Sequence, residues 1–233
     1  MKKKQVGGVP GNVLGMIGDL ALKLQNGVIT PGQFGRFLKK ENPFIKGDFS
    51  EIFQDWQNFY HDFGINCDLS GIRIPNDPGG FDRVIIMAQG ITPQVAFDFC
   101  HSEFNGKAWK WTDINLDGVV ISDRTARDNV YAIRIRNRAE ADEELKNLSA
   151  DDLKKQNILG ITLEERLIFE LKYFKETGKH LDFQNWTLCA DSRYSDGSIP
   201  GVGWDLNYGR LNVHWRSAGS ARGLLRVRQV VSV

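Results

Sequence analysis

The side chains in this sequence that could do chemistry are few, and their spacing sorts them. His61, His101, His180 and His214 stand far apart, and none has a partner at metal-ligand spacing. Asp191, Asp196 and Asp205 could supply paired carboxylates, but nothing in their spacing makes them converge. Asp196 falls in SDGSIPG (195–201), where an aspartate more often shapes a turn. There is no Gly-x-Ser-x-Gly elbow and no phosphate loop. Gly201 and Gly203 lack the third glycine and the following helix of a dinucleotide site. Asp113-Ile-Asn115-Leu-Asp117-Gly118 matches the first half of a calcium loop. The closing position, which should be a bidentate Glu, is Arg124, and no helix precedes the segment. An Asx-rich turn is the simpler reading. These residues predict a chain that is not an enzyme and carries no metal or cofactor.

What remains is binding chemistry, concentrated near the end of the chain. In residues 210–216, Arg-Leu-Asn-Val-His-Trp-Arg, odd positions are apolar and even ones polar, the pattern of a strand with one buried and one wet face. Leu211, Val213 and Trp215, with Leu225 and Val227, are expected to face inward and hold the frame. Arg210, Asn212, His214 and Arg216 are expected to face outward and contact ligand. The loop residues Tyr194, Asp205, Asn207, Tyr208 and Arg222 join them. Tyr, Asn and Arg are residues that antibody-like binding surfaces favour. Residues 187–233 also hold six arginines against three aspartates, interleaved with Tyr194, Trp204, Tyr208 and Trp215. Arginine and aromatics on a sheet can bind single-stranded nucleic acid, which makes that the second reading. The missing lysine and the inward side assigned to Trp215 put it behind ligand binding.

The alphabet of this segment is restricted. The chain has 15 Lys, 10 Glu, 10 Gln and 3 Met, and none falls between positions 190 and 228.

The elements that must position this surface follow from pattern. A length of 233 residues allows one large domain or two small ones. A 41% hydrophobic and 25% charged composition is that of a soluble globular protein, and a net charge of +1 selects no partner. Cys67, Cys100 and Cys189 are odd in number and widely spaced, fitting buried free thiols in a reducing compartment. The lysines at 2–4 precede an apolar run broken by VGGVPGN, Asn12 and Asp19, so no signal peptide is expected. No apolar stretch approaches the roughly 20 residues of a membrane span, and the cytoplasm is the expected location.

Residues 1–11 are expected to be without regular structure. Helices are expected over 12–25 (Val13, Ile17, Leu20 and Leu24 inward, Gly27 as stop), from Thr30-Pro31 to Pro43, and after Ser50 with Ile52, Phe53, Trp56, Phe59, Tyr60 and Phe63. Further on, 83–88 reads as a strand covered on both faces and Thr92-Pro93 as a helix start. A short strand is expected over 108–111. Strand 130–136 is followed by two or three helices, the first over the acidic 139–148. Ser149 and the Thr162/Glu165 capping box start the later ones, and Gly178 stops the last. Strands around 188, 202–204, 211–215 and 225–231 close the chain. The class is α+β: a mostly helical region, 1–125, then a domain, 126–233, with a small antiparallel sheet and two main helices.

The order strand, helix, helix, then four closely spaced strands with the last one terminal resembles a C-type-lectin fold. Residues 130–233 resemble the variable proteins of diversity-generating retroelements, whose variable segment ends such a fold. EADEELKNLSADDLKKQ (140–156), GITLEERL (160–167), ELKYFKETGKHLD (170–182) and SRYSDGSIP (192–200) also resemble a multicopy bacterial protein group, over roughly residues 40–233. The resemblance implies a non-catalytic binder whose C-terminal sheet and loops form a diversified surface, variable over 190–228, for a protein or small-molecule ligand. In such systems template adenines are replaced at random, usually in Asn codons ending in a pyrimidine. Those codons cannot become Lys, Glu, Gln, Met or Trp, so the resemblance makes Trp204 and Trp215 fixed scaffold.

Overall fold

The computed structural model describes residues 5–6, 9–26, 28–29, 31–39, 49–69 and 71–233. The chain divides into two compact units, Met1–Trp56 and Gln57–Val233. The first holds β1 (Gln5–Val6) and β2 (Val9–Pro10), which pair antiparallel. Residues 5–6 and 9–11 therefore contain structure that the glycine content of the segment did not suggest; positions 1–4, 7 and 8 lie outside the described residues. Helices α1 (Gly11–Gln25) and α2 (Pro31–Leu38) follow, and α3 (Ser50–Asp62) runs across the division in sequence. In α1, Val13, Leu20 and Leu24 are half-buried and Ile17 is exposed. The expected stops at Gly27 and Pro43 and the cap at Thr30 lie outside the described residues.

The second unit begins inside α3 and continues through β3 (Arg83–Met87), α4 (Pro93–Glu103), β4 (Ala108–Lys110), β5 (Val120–Ser122) and β6 (Tyr131–Ile135). Then come α5 (Ala150–Lys155), α6 (Leu163–Thr177), β7 (Trp186–Leu188), β8 (Ser192–Tyr194), β9 (Ile199–Asp205), β10 (Arg210–Arg216) and β11 (Leu225–Val227). The class is α+β. The main sheet has the order β11-β7-β9-β10-β4. β3 pairs antiparallel with β6, and β5 with β8. Beyond β6's pairing with β3, Arg134 also bridges Val231 near the C-terminus. Because β3 pairs with β6 and β4 with β10, residues 57–125 belong to the same unit as 126–233. The contacts divide the chain after Trp56, not after 125. The helix expected over 139–148 is a single 3-10 turn at Glu143–Leu145.

Local chemistry sets the helix ends. The Thr92 hydroxyl accepts from the Val95 N–H at the start of α4, with Pro93 behind it. Ser149/Asp152 and Thr162/Glu165 form complete capping boxes on α5 and α6. Gly178 ends α6 in the left-handed region, at φ 67°. No helix among the described residues is long and apolar enough to cross a membrane. Cys100 and Cys189 are buried free thiols and Cys67 is half-buried.

Every residue of α6 from Leu163 to Lys172 is buried, including Glu164, Glu165, Arg166, Glu170 and Lys172. Charge without water must be paired to be tolerated. Asp182, just past the helix, receives Arg166 Nε and Nη2 at 3.0 and 2.8 Å on Oδ2, and Arg228 Nη2 at 2.7 Å on Oδ1. Arg166 Nη1 also donates to Glu170 Oε2 at 2.7 Å. The Thr187 hydroxyl donates to Asp182 and accepts from Arg228 Nε. Arg228 spends its remaining donors on the carbonyls of Arg138 and Ala139. One neutral cluster thus joins α6, the loop before α5, β7 and the C-terminal segment. A second clamp centres on Arg124, the residue that breaks the calcium-loop pattern. It donates to both Glu165 oxygens at 2.8 Å, to Asp191 at 2.7 Å and to the Gly160 carbonyl at 2.6 Å.

Asp182→Ala leaves buried Arg228 without a carboxylate and Arg166 with Glu170 alone. It should cost about 3–5 kcal/mol, read as a lowered midpoint in urea unfolding, and a loss below about 1 kcal/mol contradicts the cluster's role.

Candidate binding surface

Residues directly paired across a sheet project to the same side. β10 pairs with β9 over seven positions and runs parallel to β4. The register sets Asn212 between Gly203 and Trp109, Arg210 opposite Asp205, and His214 opposite Gly201. One face of β4–β10–β9 therefore carries Trp109, Arg210, Asn212, His214, Arg216 and Asp205, and at its end beside Arg216 the fully buried Ile199. The opposite face carries Leu211 and Val213, fully buried, with Val202 and Ala108 beside them. Trp204 shares that inner side. Its ring stacks on His180 at 3.3 Å between centroids, and His180 stacks in turn on Phe174 at 4.7 Å. His180 also meets Glu170 through Nδ1, at 2.9 Å, so this histidine serves the core.

The two glycines of β9 leave a shallow bed on the outer face. A Cβ at Gly203 would lie 3.2 Å from the Trp186 ring, and one at Gly201 would lie 3.1 Å from Arg216 Cγ. Trp186 and Arg216 occupy that space, with the guanidinium 4.6 Å from the ring centroid. Across the sheet, Arg210 is held between Trp109 and Tyr208, at 5.0 and 4.9 Å. Its Nε donates to Asn212 Oδ1, and Asn212 Nδ2 donates to Asp205 Oδ2, both at 3.0 Å. Asp205 Oδ1 accepts from the N–H groups of Asn207 and Tyr208, which shapes the β9–β10 turn. The His214 ring lies 5.8 Å from Trp109. Burial holds the His214 imidazole below its ordinary range. Burial and the nearby Arg222 charge lower the Arg216 guanidinium, which places Arg222 within electrostatic reach of the same face.

Arg226 and Arg228 are paired with Glu143 and Asp182. Among the described residues no carboxylate pairs with Arg210, Arg216 or Arg222. The face offers three cationic groups, two of them against aromatic rings, to whatever approaches.

The structure gathers Asp205, Asn207, Tyr208, Arg210, Asn212, His214, Arg216 and Arg222 around this face. Two of the expected contacts have other duties. Tyr194 is 3% exposed and lies on β8 opposite Val120, edge-on to Trp111. Its alternating neighbours did not reveal that β8 leaves the main sheet to pair with β5. Asn212 is on the face but 5% exposed, and its amide links Arg210 to Asp205. Trp215, expected in the core, keeps the side of Leu211 and Val213 but is 47% exposed. Alternation assigns a side and not a depth. Trp109 and Trp186 were missed as surface residues. Strand 108–111 was legible, but its parallel pairing with β10 has no local signal.

The Asp113–Gly118 segment forms the Asx turn that its composition suggests. Asn115 Oδ1 accepts from the Asp117 N–H, and the Asp117 carboxylate accepts from the Thr92 hydroxyl and the Gln94 N–H. Among the described residues no three His, Cys, Asp or Glu side chains converge as a metal site.

No family model matches the chain, and no curated protein or solved structure is significantly similar to it.

Replacing Arg210, His214 and Arg216 singly by alanine should each cost about 1 kcal/mol or less. Leu211→Ala should cost about 2–5 kcal/mol in the same unfolding experiment. Equal losses on both sides of β10 contradict the division into face and frame.

Proposed function

We propose that the chain is a non-catalytic binding protein of the cytoplasm. Its C-terminal, lectin-like sheet presents a diversified recognition surface for a protein or small-molecule ligand. The observation that carries this reading is the outer face of β4–β10–β9. Tyr208, Arg210, His214, Arg216 and Arg222 come together there. Arg210, His214 and Arg216 make only local contacts, to Asn212, the Trp215 carbonyl and aromatic rings, and among the described residues no arginine of this group pairs with a carboxylate, while Leu211, Val213 and the buried ion cluster hold the frame. The bridge from Arg134 to Val231 supports the lectin-like reading, because it joins the strand at the start of the region to its end.

The alphabet supports diversification. Asp205, Tyr208, Arg210, Asn212, His214, Arg216 and Arg222 are all residues that an Asn codon ending in a pyrimidine can become. Trp204 and Trp215, which such a codon cannot become, share the opposite side of the sheet. The outer-face tryptophans, Trp109 and Trp186, lie outside residues 190–228. Sequencing the flanking DNA should reveal a non-coding near-copy of the codons for 190–228 that differs at adenines, beside a reverse transcriptase gene. Intact flanks with no such copy overturn the diversification.

A second reading, single-stranded nucleic-acid binding, is favoured by one feature: Arg210 held between Trp109 and Tyr208 beside two further unpaired arginines. Under it, an oligonucleotide titration should weaken with a log–log salt slope of about −0.7 for each phosphate neutralised, near −2 for three arginines. Under the first reading, oligonucleotides bind without saturation at physiological salt.

A further inference from the structure

Five carboxylates in the Gln57–Val233 unit are almost wholly buried: Asp142, Glu164, Glu165, Glu170 and Asp182. Four have an arginine. Asp142 has Arg136, Glu165 has Arg124, Glu170 has Arg166, and Asp182 has Arg166 and Arg228. Glu164 has none. Its Oε2 accepts from the Ser122 hydroxyl at 2.7 Å. Ser122 lies 2.7 Å from Ser192, whose own oxygen accepts from the Leu163 N–H, so Ser192 donates onward to Ser122. This chain of donors runs one way and ends on Oε2. Oε1 is buried and accepts no hydrogen bond of ordinary geometry. The Glu164 N–H and the Thr162 hydroxyl lie near enough to the carboxyl to offset part of the effect of its burial.

Glu164 also lines a pocket of about 240 Å³ bounded by the start of α4, β5 and the loop that follows it. Its walls are mixed: Pro93, Val120 and Ile121 are apolar, and Ser122, Thr125 and Arg127 are polar. Asp117 also reaches the pocket, but its carboxylate is committed to Thr92 and Gln94. A fully buried carboxylate with one oxygen short of an ordinary hydrogen bond and no cation, beside a cavity of this size, is an incomplete ion pair.

We infer that this pocket binds a small organic cation, a primary ammonium on a short apolar body, with the ammonium supplying the missing partner of Glu164. The site is separate from the outer face of β10 and does not rest on the function proposed for it. A primary ammonium brings the donors and the charge that the carboxylate lacks. Pro93 and Val120 suit the alkyl portion.

The site carries a pH signature. Burial pushes the Glu164 carboxyl up to about 7. The titratable groups around it are Glu165 on the same helix, Tyr131 on β6, Cys189 after β7, and Asp117 and Arg127 at the pocket. Tyr131 and Cys189 are themselves pushed up, above the window in which Glu164 titrates. A raised carboxyl is protonated at low pH, and an alkylammonium needs the ionised form. Affinity should therefore rise with pH through 7, by about ten-fold between pH 6 and pH 8, while the amine stays protonated.

The test is a calorimetric titration of the full chain with n-propylammonium, and with n-propanol as a neutral probe of similar shape. The wild type should bind the amine saturably at pH 8, about ten-fold more weakly at pH 6, and should not bind the alcohol. Glu164→Gln keeps the shape and removes the charge, and should weaken amine binding at least ten-fold. Thr125→Trp, at an exposed lining residue, should block the pocket without touching Glu164, which keeps the test decisive if the glutamine variant does not fold. Amine binding that is unchanged in Glu164→Gln or in Thr125→Trp overturns the inference. Equal binding of the alcohol, or no saturable amine binding by the folded wild type, does the same.

Discussion

The cluster of Arg166, Arg228, Asp182 and Glu170 is the constraint on which the rest of the Gln57–Val233 unit depends. Two guanidiniums and two carboxylates sit without water where α6, the loop before α5, β7 and the C-terminal segment meet. Such a cluster contributes little net stability over an apolar core, because desolvation offsets most of the Coulombic gain. Its consequence is positional. Arg228 satisfies the carbonyls of Arg138 and Ala139, and Asp182 receives the Ala141 N–H, so residues far apart in sequence have one arrangement in which every donor is met. A shifted register would leave a buried charge open, which costs far more than the cluster gains.

A frame locked from within releases only the β4–β10 part of the outer side, around Arg210 and His214, from structural duty. At the other end of that side Ile199, Leu188, Leu225 and Val227 pack as a second core with Leu145, Ala150 and Leu153. On β10 the two roles alternate residue by residue. Leu211 and Val213 pack inward, while Arg210, His214 and Arg216 lie against aromatic rings on the outer face. The glycines of β9 complete the arrangement by removing side chains where Trp186 and Arg216 need room. Arg210 gives Nε to Asn212 and Arg216 gives Nη1 to the Trp215 carbonyl, so each arginine, stacked on a ring and without a carboxylate, keeps further donors for a partner.

Much of this was legible where the chemistry is local. The caps at Thr92, Ser149 and Thr162/Glu165 and the stop at Gly178 were readable because each is complete within a few residues. The alternation of 210–216 assigned sides correctly. Depth was not legible: Trp215 follows the pattern of Leu211 and Val213 yet is exposed, and Asn212 is outward yet buried by its neighbours. Non-local pairing was equally hidden. β4 and β10 are about a hundred residues apart and run parallel, so Trp109 gave no sign of reaching the candidate face. The charged residues of α6 are core only because of distant partners, Asp182, Arg124 and Arg228, which nothing within the helix announces. Arg124 is the sharpest case: in the sequence it spoils a calcium loop, and in the fold it clamps Glu165 and Asp191.

The most direct measurement of this account is a proteolysis-based stability map of all single substitutions across residues 199–216. A period of two along β10 is expected, with sharp losses at Leu211 and Val213 and tolerance of nearly any side chain at Arg210, His214 and Arg216. Sensitivity without that period, or losses at the arginines as large as those at Leu211, would contradict the claim that an internally locked frame leaves this face free to vary.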